Sequence, residues 1–345
     1  GVGLLGGSIG IEARVPPALK GGFSGRVNFK ELSLPDILAL LPDLPLAPNC
    51  LVNGFLEFSG QEINLQKIQA RSELRLEVPK SPVESQPGRP LLPLTGNIKA
   101  SAANGEIILS ELDLQALEAK LSLEAKVAEL KKISGELQLK IEELSRTVNS
   151  LKSSGLDRSL PDLVASLQSL PEIKGALSLE AKVSGNFERP EFGLNLEAEN
   201  LSLKNFTLPA AKIKADGNLD NLNLRQFEVN FKEGQLKATG RLARPSGQPS
   251  SPYSLEGQTE LIKINLSQLA DLLGEDFKNF ANGYLSGSAS ASGRLNSLQA
   301  RFDLSVEQAL VQNLKIDSLQ VKGGYINGEI KAEKLLVIWP GGQIA

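Results

Sequence analysis

Apolar and polar residues alternate with a period of two along most of the chain. Over 177–184, leucine, alanine and valine occupy the odd positions, and serine, glutamate and lysine occupy the even ones. The same alternation recurs over 73–78, 137–142, 192–198 and 302–306. Strands buried on both faces would be apolar at nearly every position. The pattern therefore predicts antiparallel strands with one apolar face and one solvated face.

Turn-forming residues separate these stretches at the spacing of hairpins. They lie at 218–221, 232–234, 296–297 and 327–328, and the last of these is Asn-Gly. Consecutive strands should therefore pair as a meander. Two proline-rich segments, 79–93 and 245–252, lack donors for a sheet ladder and are predicted as long loops instead of strands.

A repeated phrase marks the predicted helix starts. Ser-Leu-Pro-Asp at 33–36 returns at 159–162 and, degraded to Asn-Leu-Ser-Gln, at 265–268. A glycine-started alternating stretch follows each copy, so the predicted unit is a short helix and a run of strands. Helices are expected over 34–41, 160–170 and 266–273.

The copies divide the chain into one continuous repeat-built sheet with approximate units. These are 1–33 as the end of a preceding unit, 34–158, 159–264, and 265–345 as the start of a further unit. The intervals between copies are long and unequal, which argues against a regular solenoid. Within the second unit, the segment 112–151 fits either a helix or strands, and alternation over 121–127 and 137–141 favours a hairpin.

Composition excludes several classes of function. The chain has no histidine, which removes the usual general base and the commonest transition-metal ligand. Its single cysteine, Cys50, cannot form an intrachain disulfide or a zinc set and is expected to be a small buried residue. The 37 basic and 40 acidic residues are interspersed, so no nucleic-acid footprint is visible. We expect no enzyme, no cofactor and no metal.

Candidate chemical motifs have simpler explanations. Gly1-Val2-Gly3-Leu4-Leu5-Gly6 matches the dinucleotide fingerprint by letter, but a strand pattern follows it where that fingerprint needs a helix. The many carboxylates alternate with leucines, which is typical of a solvated face and not of a paired-carboxylate site. No apolar run is long enough to span a membrane.

The apolar face of so long a sheet requires a cover. Roughly 20 strands at about 4.8 Å spacing are too many for three short helices to cover. The sequence predicts a mainly β fold, in which a long antiparallel meander sheet curls into an open groove with an apolar interior, interrupted by a few short helices. The predicted groove lining is Leu137, Leu139, Ile141, Leu177, Leu179, Val183, Phe192, Leu194, Leu196, Phe227, Val229, Phe231, Leu236, Phe302, Leu304 and Val306.

Several phrases resemble those of the AsmA-like superfamily, and of its TamB (translocation and assembly module) type in particular. They are Val-Ser-Gly at 183–185, Arg-Pro at 189–190, and the stretches 192–198, 200–203 and 234–242. The resemblance is clearest over 160–242, recurs over 266–304 and is weaker over 29–60. That family has no catalytic residues to carry over.

The resemblance implies a taco-like β-groove in the periplasm of a double-membrane bacterium. It implies phospholipid acyl chains as ligands, transport of phospholipid between inner and outer membrane, and an inner-membrane anchor outside this sequence. The chain lacks methionine and alternates close to both ends, so it is expected to be an internal fragment.

Three functions remain open at this stage. The first is the lipid-conducting groove. The second is a scaffold for outer-membrane protein assembly alongside a TamA-like barrel, which the resemblance also implies. The third is a closed β-sandwich or solenoid of a surface protein.

Overall fold

The computed structural model describes residues 2–4, 7–15, 22–35, 47–62, 67–80, 91–129, 131–153, 173–203, 206–244, 251–273, 282–311, 314–326 and 328–345. The chain divides into two compact units. Unit 1 comprises 1–171 and 176–190, and unit 2 comprises 172–175 and 191–345. The two units are described separately.

Unit 1 contains the first strands in chain order. They are β1 (Val2–Leu4), β2 (Gly7–Arg14), β3 (Phe23–Ser33), β4 (Ala47–Asn49), β5 (Leu51–Gly60), β6 (Gln69–Glu77), β7 (Leu91–Pro93), β8 (Thr95–Ala103), β9 (Glu106–Ala116), β10 (Ala119–Ala128), β11 (Lys132–Ile141) and most of β12 (Ile173–Asn186). Helix α1 spans Leu144–Ser153. Each strand pairs antiparallel with the next, except that β4 and β7 pair with each other in parallel.

Unit 2 repeats the same architecture. Its strands are β13 (Arg189–Leu203, of which the first two residues belong to unit 1), β14 (Phe206–Gly217), β15 (Asn221–Asn230), β16 (Gln235–Ala243), β17 (Ser254–Asn265), β18 (Tyr284–Arg294), β19 (Gln299–Val311), β20 (Leu314–Ile326), β21 (Glu329–Trp339) and β22 (Gly342–Ile344). Helix α2 spans Leu266–Leu273. All consecutive strands pair antiparallel. The prediction of a mainly β fold with an antiparallel meander and few short helices is confirmed.

The helix predictions have three outcomes. The helix over 266–273 is confirmed as α2. Of the helix over 34–41, only residues 34–35 are described, and they are helical; 160–170 lies outside the described residues. The hairpin over 121–127 and 137–141 is confirmed as β10 and β11, but α1 directly follows it and was not predicted.

One loop prediction is wrong in part. Leu91–Pro93, at the end of the proline-rich segment 79–93, is strand β7. It pairs in parallel with Ala47–Asn49, in a two-stranded sheet apart from the meander. Proline is tolerated there because a short peripheral strand needs few ladder donors. In the other segment, 245–250 lies outside the described residues, and 251–252 is not a strand.

The helices lie at one end of the strands in each unit. We call this the helix end. The opposite end is the hairpin end, and it contains residues 104–105, 129 and 131 in unit 1 and 218–220 and 295–298 in unit 2. Thr147 of α1 donates its hydroxyl to the carbonyl of Leu117, 2.9 Å away in the β9–β10 turn, which fixes α1 at the helix end of unit 1.

Both buried clusters also lie at the helix end. In unit 1, Leu32, Cys50, Val52 and Leu76 are buried together. In unit 2, the buried cluster is Phe206, Phe231 and Ile264, against which Leu269 of α2 packs.

Candidate functional site: the apolar sheet face

The strand register of unit 1 gathers the predicted lining residues on one face. Leu139 of β11 lies directly across from Leu121 of β10 and from Leu179 of β12. The neighbouring positions repeat this arrangement, with Leu137 opposite Ala181 and Ile141 opposite Leu177, and Val183 lies opposite Gly135. Residues opposite each other in an antiparallel pair share a face, so the apolar residues form continuous rows across the strands.

Unit 2 shows the same arrangement over more strands. Leu196 lies opposite Ile213 and Phe227 opposite Ala238. Val229 lies opposite Leu236. The remaining predicted positions continue these rows, with Leu194 opposite Ala215, Phe302 opposite Ala289, Leu304 opposite Val321 and Val306 opposite Leu319.

Most predicted lining residues are partly exposed, and two differ from the rest. Phe192, at the hairpin end of β13, is 37% exposed. Phe231 is only 8% exposed, because it follows the end of β15 and belongs to the cluster under α2. Phe231 therefore contributes to the closed helix end and offers little surface to a ligand.

Sequence patterning missed the small residues that shape this face. Gly240, Gly257 and Ala291 lie side by side on β16, β17 and β18. On β19 and β20, the ring of Phe302 lies over Gly323, 3.0 Å from where a Cβ would stand. Unit 1 has the same arrangement, with the ring of Phe58 over Gly25. Glycines at apolar-face positions of the alternating pattern were the available signal in the sequence. The pattern does not show which aromatic ring contacts which glycine, because that depends on the strand register.

The opposite face is polar and its charges compensate one another. Across β13 to β17, the facing positions are Glu197, Lys212, Glu228, Lys237 and Glu260, which alternate in sign. Lys212 donates a hydrogen bond to Glu197 and thereby lowers the pKa of that carboxyl group. These groups are partly or fully exposed, so each pair adds little stability and the face remains solvated.

A hydrogen-bonded pair also lies where the ladder bulges between β14 and β15. Arg225 donates from Nε to Asp216 Oδ1 at 2.5 Å and from its terminal nitrogen to Oδ2 at 3.1 Å. The hydrogen bond from Arg225 lowers the pKa of Asp216. In such a bidentate pair both groups are held in a structural hydrogen bond, so neither is free to act as an acid or base.

The described residues contain no cluster suited to a metal ion and no helix long and apolar enough to cross a membrane. Cys50 is fully buried, and burial raises the pKa of its thiol to about 11. A neutral buried thiol is a poor nucleophile, which agrees with its expected role as a small buried residue.

Comparison with protein-family models, with curated proteins and with solved structures found no match for this chain. What the apolar face does must therefore be argued from its geometry and chemistry.

Proposed function

We propose that the apolar sheet face binds acyl chains, and that the protein conducts phospholipid across the periplasm, between the inner and outer membranes. One observation carries this proposal: the register keeps leucine, valine, isoleucine and phenylalanine on one face across β9 to β12 and across β13 to β20, and most of these side chains remain partly exposed. The AsmA-like resemblance supports the same function.

The chemistry of the face suits chains that slide. Few polar groups interrupt it, so a hydrocarbon chain meets similar weak contacts at each position and no deep specific site. Each methylene transferred from water gains about 0.8 kcal/mol. An open face covers roughly half of a chain, so a chain of about 14 methylenes gains about 5 to 6 kcal/mol. That is enough to hold a lipid and small enough to release it.

A photocrosslinking amino acid placed on each face tests the proposal. At Leu179, Leu194 or Val229 it should capture phospholipid, whereas at Lys182 or Glu197 on the polar face it should not. Leu179 and Lys182 share β12, and Leu194 and Glu197 share β13, so these two pairs control for local folding. Equal labelling of both faces would contradict the proposal.

A charge on the apolar face provides the functional test. Leu194→Asp should reduce transfer of a fluorescent phospholipid between donor and acceptor vesicles more than it reduces stability, because it places a carboxylate in the path of the acyl chain. Thr239→Asp, on the exposed polar face of β16, is the matched control. If Leu194→Asp leaves transfer intact while proline substitutions within the strands abolish assembly of an outer-membrane protein, the scaffold function with a TamA-like barrel replaces this one.

A further inference from the structure

A single hydroxyl interrupts the apolar face of unit 2 between β13 and β19. Thr259 of β17 lies across from Ala238 of β16 and from Ala289 of β18, so it shares the apolar face with these alanines. Among the described residues of β13 to β19, every other paired position on this face carries an aliphatic or aromatic side chain or is glycine. The polar neighbours of Thr259 on its own strand, Gln258 and Glu260, lie on the opposite face.

Thr259 lies at the centre of a symmetric row of side chains. From β15 to β19, the row is Phe227, Ala238, Thr259, Ala289 and Phe302. The two phenylalanines are four strand spacings apart, which is about 19 Å. The alanines between them are small, and Thr259 is partly exposed. We call the space above Ala238, Thr259 and Ala289 the hydroxyl niche.

Small neighbours keep the hydroxyl niche open toward the hairpin end. One row closer to that end lie Gly240, Gly257 and Ala291. The ring of Phe302 lies over Gly323 of β20 and therefore away from the niche. A group wider than one hydrocarbon chain has room in the niche, and a polar headgroup attached to it has a path to the hairpin end.

The hydroxyl of Thr259 has no partner within the part of the chain that the structure describes, where no hydrogen bond of Thr259 is found. An acyl chain lying over Thr259 would shield this hydroxyl from water. A shielded hydroxyl without an acceptor costs free energy, so hydrocarbon alone is a poor ligand at this position. The ligand group that covers Thr259 should therefore carry a hydrogen-bond acceptor.

Unit 1 has a hydroxyl at the same depth of its own apolar face. Ser72 of β6 lies across from Leu56 of β5, and no hydrogen bond of Ser72 is found among the described residues. In each unit, the next residue of this face toward the helix end is a leucine that packs against the buried cluster. It is Leu74 after Ser72 and Leu261 after Thr259. Both units therefore place one hydroxyl directly before the closed end of the face.

On the basis of the proposed function, we propose that the hydroxyl of Thr259 donates to the ester carbonyl oxygen of a phospholipid acyl chain. The ester carbonyl is the acceptor that a phospholipid carries closest to its hydrocarbon, so it meets the hydroxyl where the chain begins. The chain lies on the apolar rows, and the headgroup passes over Gly240 and Gly257 toward the hairpin end. Ser72 has the same role in unit 1. The two hydroxyls make the face selective for acyl esters.

Binding of matched ester and ether lipids tests this assignment. The probes are a pyrene-labelled lysophosphatidylglycerol with an acyl ester and its ether-linked counterpart, which has the same chain and headgroup but no ester carbonyl. The 345-residue chain should bind the ester lipid about fivefold more tightly, as one hydrogen bond to a neutral acceptor gives. This comparison needs no variant.

Variants that remove the hydroxyls assign this preference to residues. Thr259→Val, which keeps the shape of the side chain, combined with Ser72→Ala should weaken binding of the ester lipid about fivefold and leave the ether lipid unchanged. Thr259→Ser combined with wild-type Ser72 retains both hydroxyls and should keep the preference. The matched control is Thr239→Val with Ser101→Ala, which removes two hydroxyls from the polar face and should change neither probe.

Infrared spectra of the bound ester lipid, with isotope-labelled carbonyl groups, provide a second readout. A hydrogen bond lowers the stretching frequency of a carbonyl group. The frequency should therefore be lower on the wild-type protein than on the Thr259→Val, Ser72→Ala variant. A role of the hydroxyls in folding alone would not produce this difference.

The outcomes separate this inference from the proposed function. If the wild-type protein binds the ester and ether lipids equally, the ester assignment is overturned and the acyl-binding face stands. The same conclusion follows if the double variant keeps the preference or weakens both lipids alike. If neither lipid binds the wild-type protein, the proposed function itself fails. Circular dichroism checks that the variants retain the fold.

Discussion

Two strand-to-helix junctions, one in each unit, share a backbone geometry. In the first, Glu31 interrupts the β3–β5 register with φ 51°, and in the second Lys263 interrupts the β17–β18 register with φ 50°. Each is followed by a buried aliphatic residue, Leu32 at 3% exposure and Ile264 at 1%. A helical residue comes three positions after each bulge.

The hydrogen bonds of the two junctions also correspond. The bulge N–H of Glu31 donates to Asn53 Oδ1 at 2.8 Å, and that of Lys263 donates to Ser286 Oγ at 3.0 Å. At the helix starts, Leu34 N–H donates to the carbonyl of Cys50 and Leu266 N–H to that of Gly283, at 3.0 and 2.9 Å.

The residues that form these hydrogen bonds differ between the two junctions. An asparagine amide serves in one junction and a serine hydroxyl in the other, and Cys50 stands where unit 2 has Gly283. Asn265 caps α2 by accepting from Ser267 N–H at 2.9 Å, whereas Ser33 Oγ has no hydrogen-bond partner in the described structure. The hydrogen bonds that the backbone requires therefore define the junction. Ser-Leu-Pro-Asp is one of several sequences that can form it.

The glycine that follows each acceptor offers the most severe test of this correspondence. Gly54 has φ 140° and Gly287 φ 146°, and an added Cβ would lie 2.0 Å from the carbonyl oxygen of Glu73 or 2.2 Å from that of Asp303. Replacing either by alanine should lower the unfolding free energy of its own unit by about 3 kcal/mol, because backbone must move.

Urea unfolding with one probe in each unit measures this effect. Thiol labelling of Cys50 reports on unit 1, and the fluorescence of Trp339, the single tryptophan, reports on unit 2. Gly10→Ala and Gly193→Ala are the controls, since an added Cβ meets nothing closer than 3.9 Å at the first and nothing within 4 Å at the second. Loss of stability in only one of the units would break the comparison.

The side-chain acceptors should have a smaller effect. Asn53→Ala and Ser286→Ala each remove the side-chain partner of an exposed bulge N–H and should cost about 0.5 to 1.5 kcal/mol in the same urea assay. Asn53→Ser and Ser286→Asn exchange the two acceptors and should lose less than the alanine variants. If the exchanged variants are as unstable as the alanine variants, the two junctions are not equivalent.

A pH dependence also distinguishes the two junctions. Burial raises the pKa of Cys50 from its usual value near 9.0 to about 11, so the thiolate forms first in the unfolded chain. The unfolding free energy of unit 1 should therefore fall as pH rises from about 9 to 11, by at most about 1.4 kcal/mol per pH unit. Gly283 contributes no such dependence to unit 2.

Thiol labelling followed by mass spectrometry checks this prediction. At pH 8, Cys50 of the folded protein should react at least about 100-fold more slowly than in urea, because a shift of two units lowers the thiolate fraction by that factor. Similar labelling rates in the folded and unfolded states would show that the thiol is not buried and that its pKa is not raised.

Much of the apolar face could be predicted from local pattern. Alternation assigned Leu139, Leu179, Val229 and Leu304 to one face, because side chains on a strand alternate whatever the strand pairs with. The same reasoning failed for Phe231, which continues the alternation of β15 but lies beyond its last residue and packs under α2. Whether an apolar residue lines an open face or fills a buried cluster depends on contacts that are distant in sequence.

The sequence by itself determined the strand period, the hairpin turns, the helix at 266–273 and the polarity of each face, since these depend on neighbouring residues. Tertiary structure decided which residues lie opposite one another, where Gly54 and Gly287 meet a carbonyl oxygen, how β7 pairs within a proline-rich segment, and which end of the apolar face is closed. These features arise only when separate strands come into register and pack against one another, and no local pattern encodes those contacts.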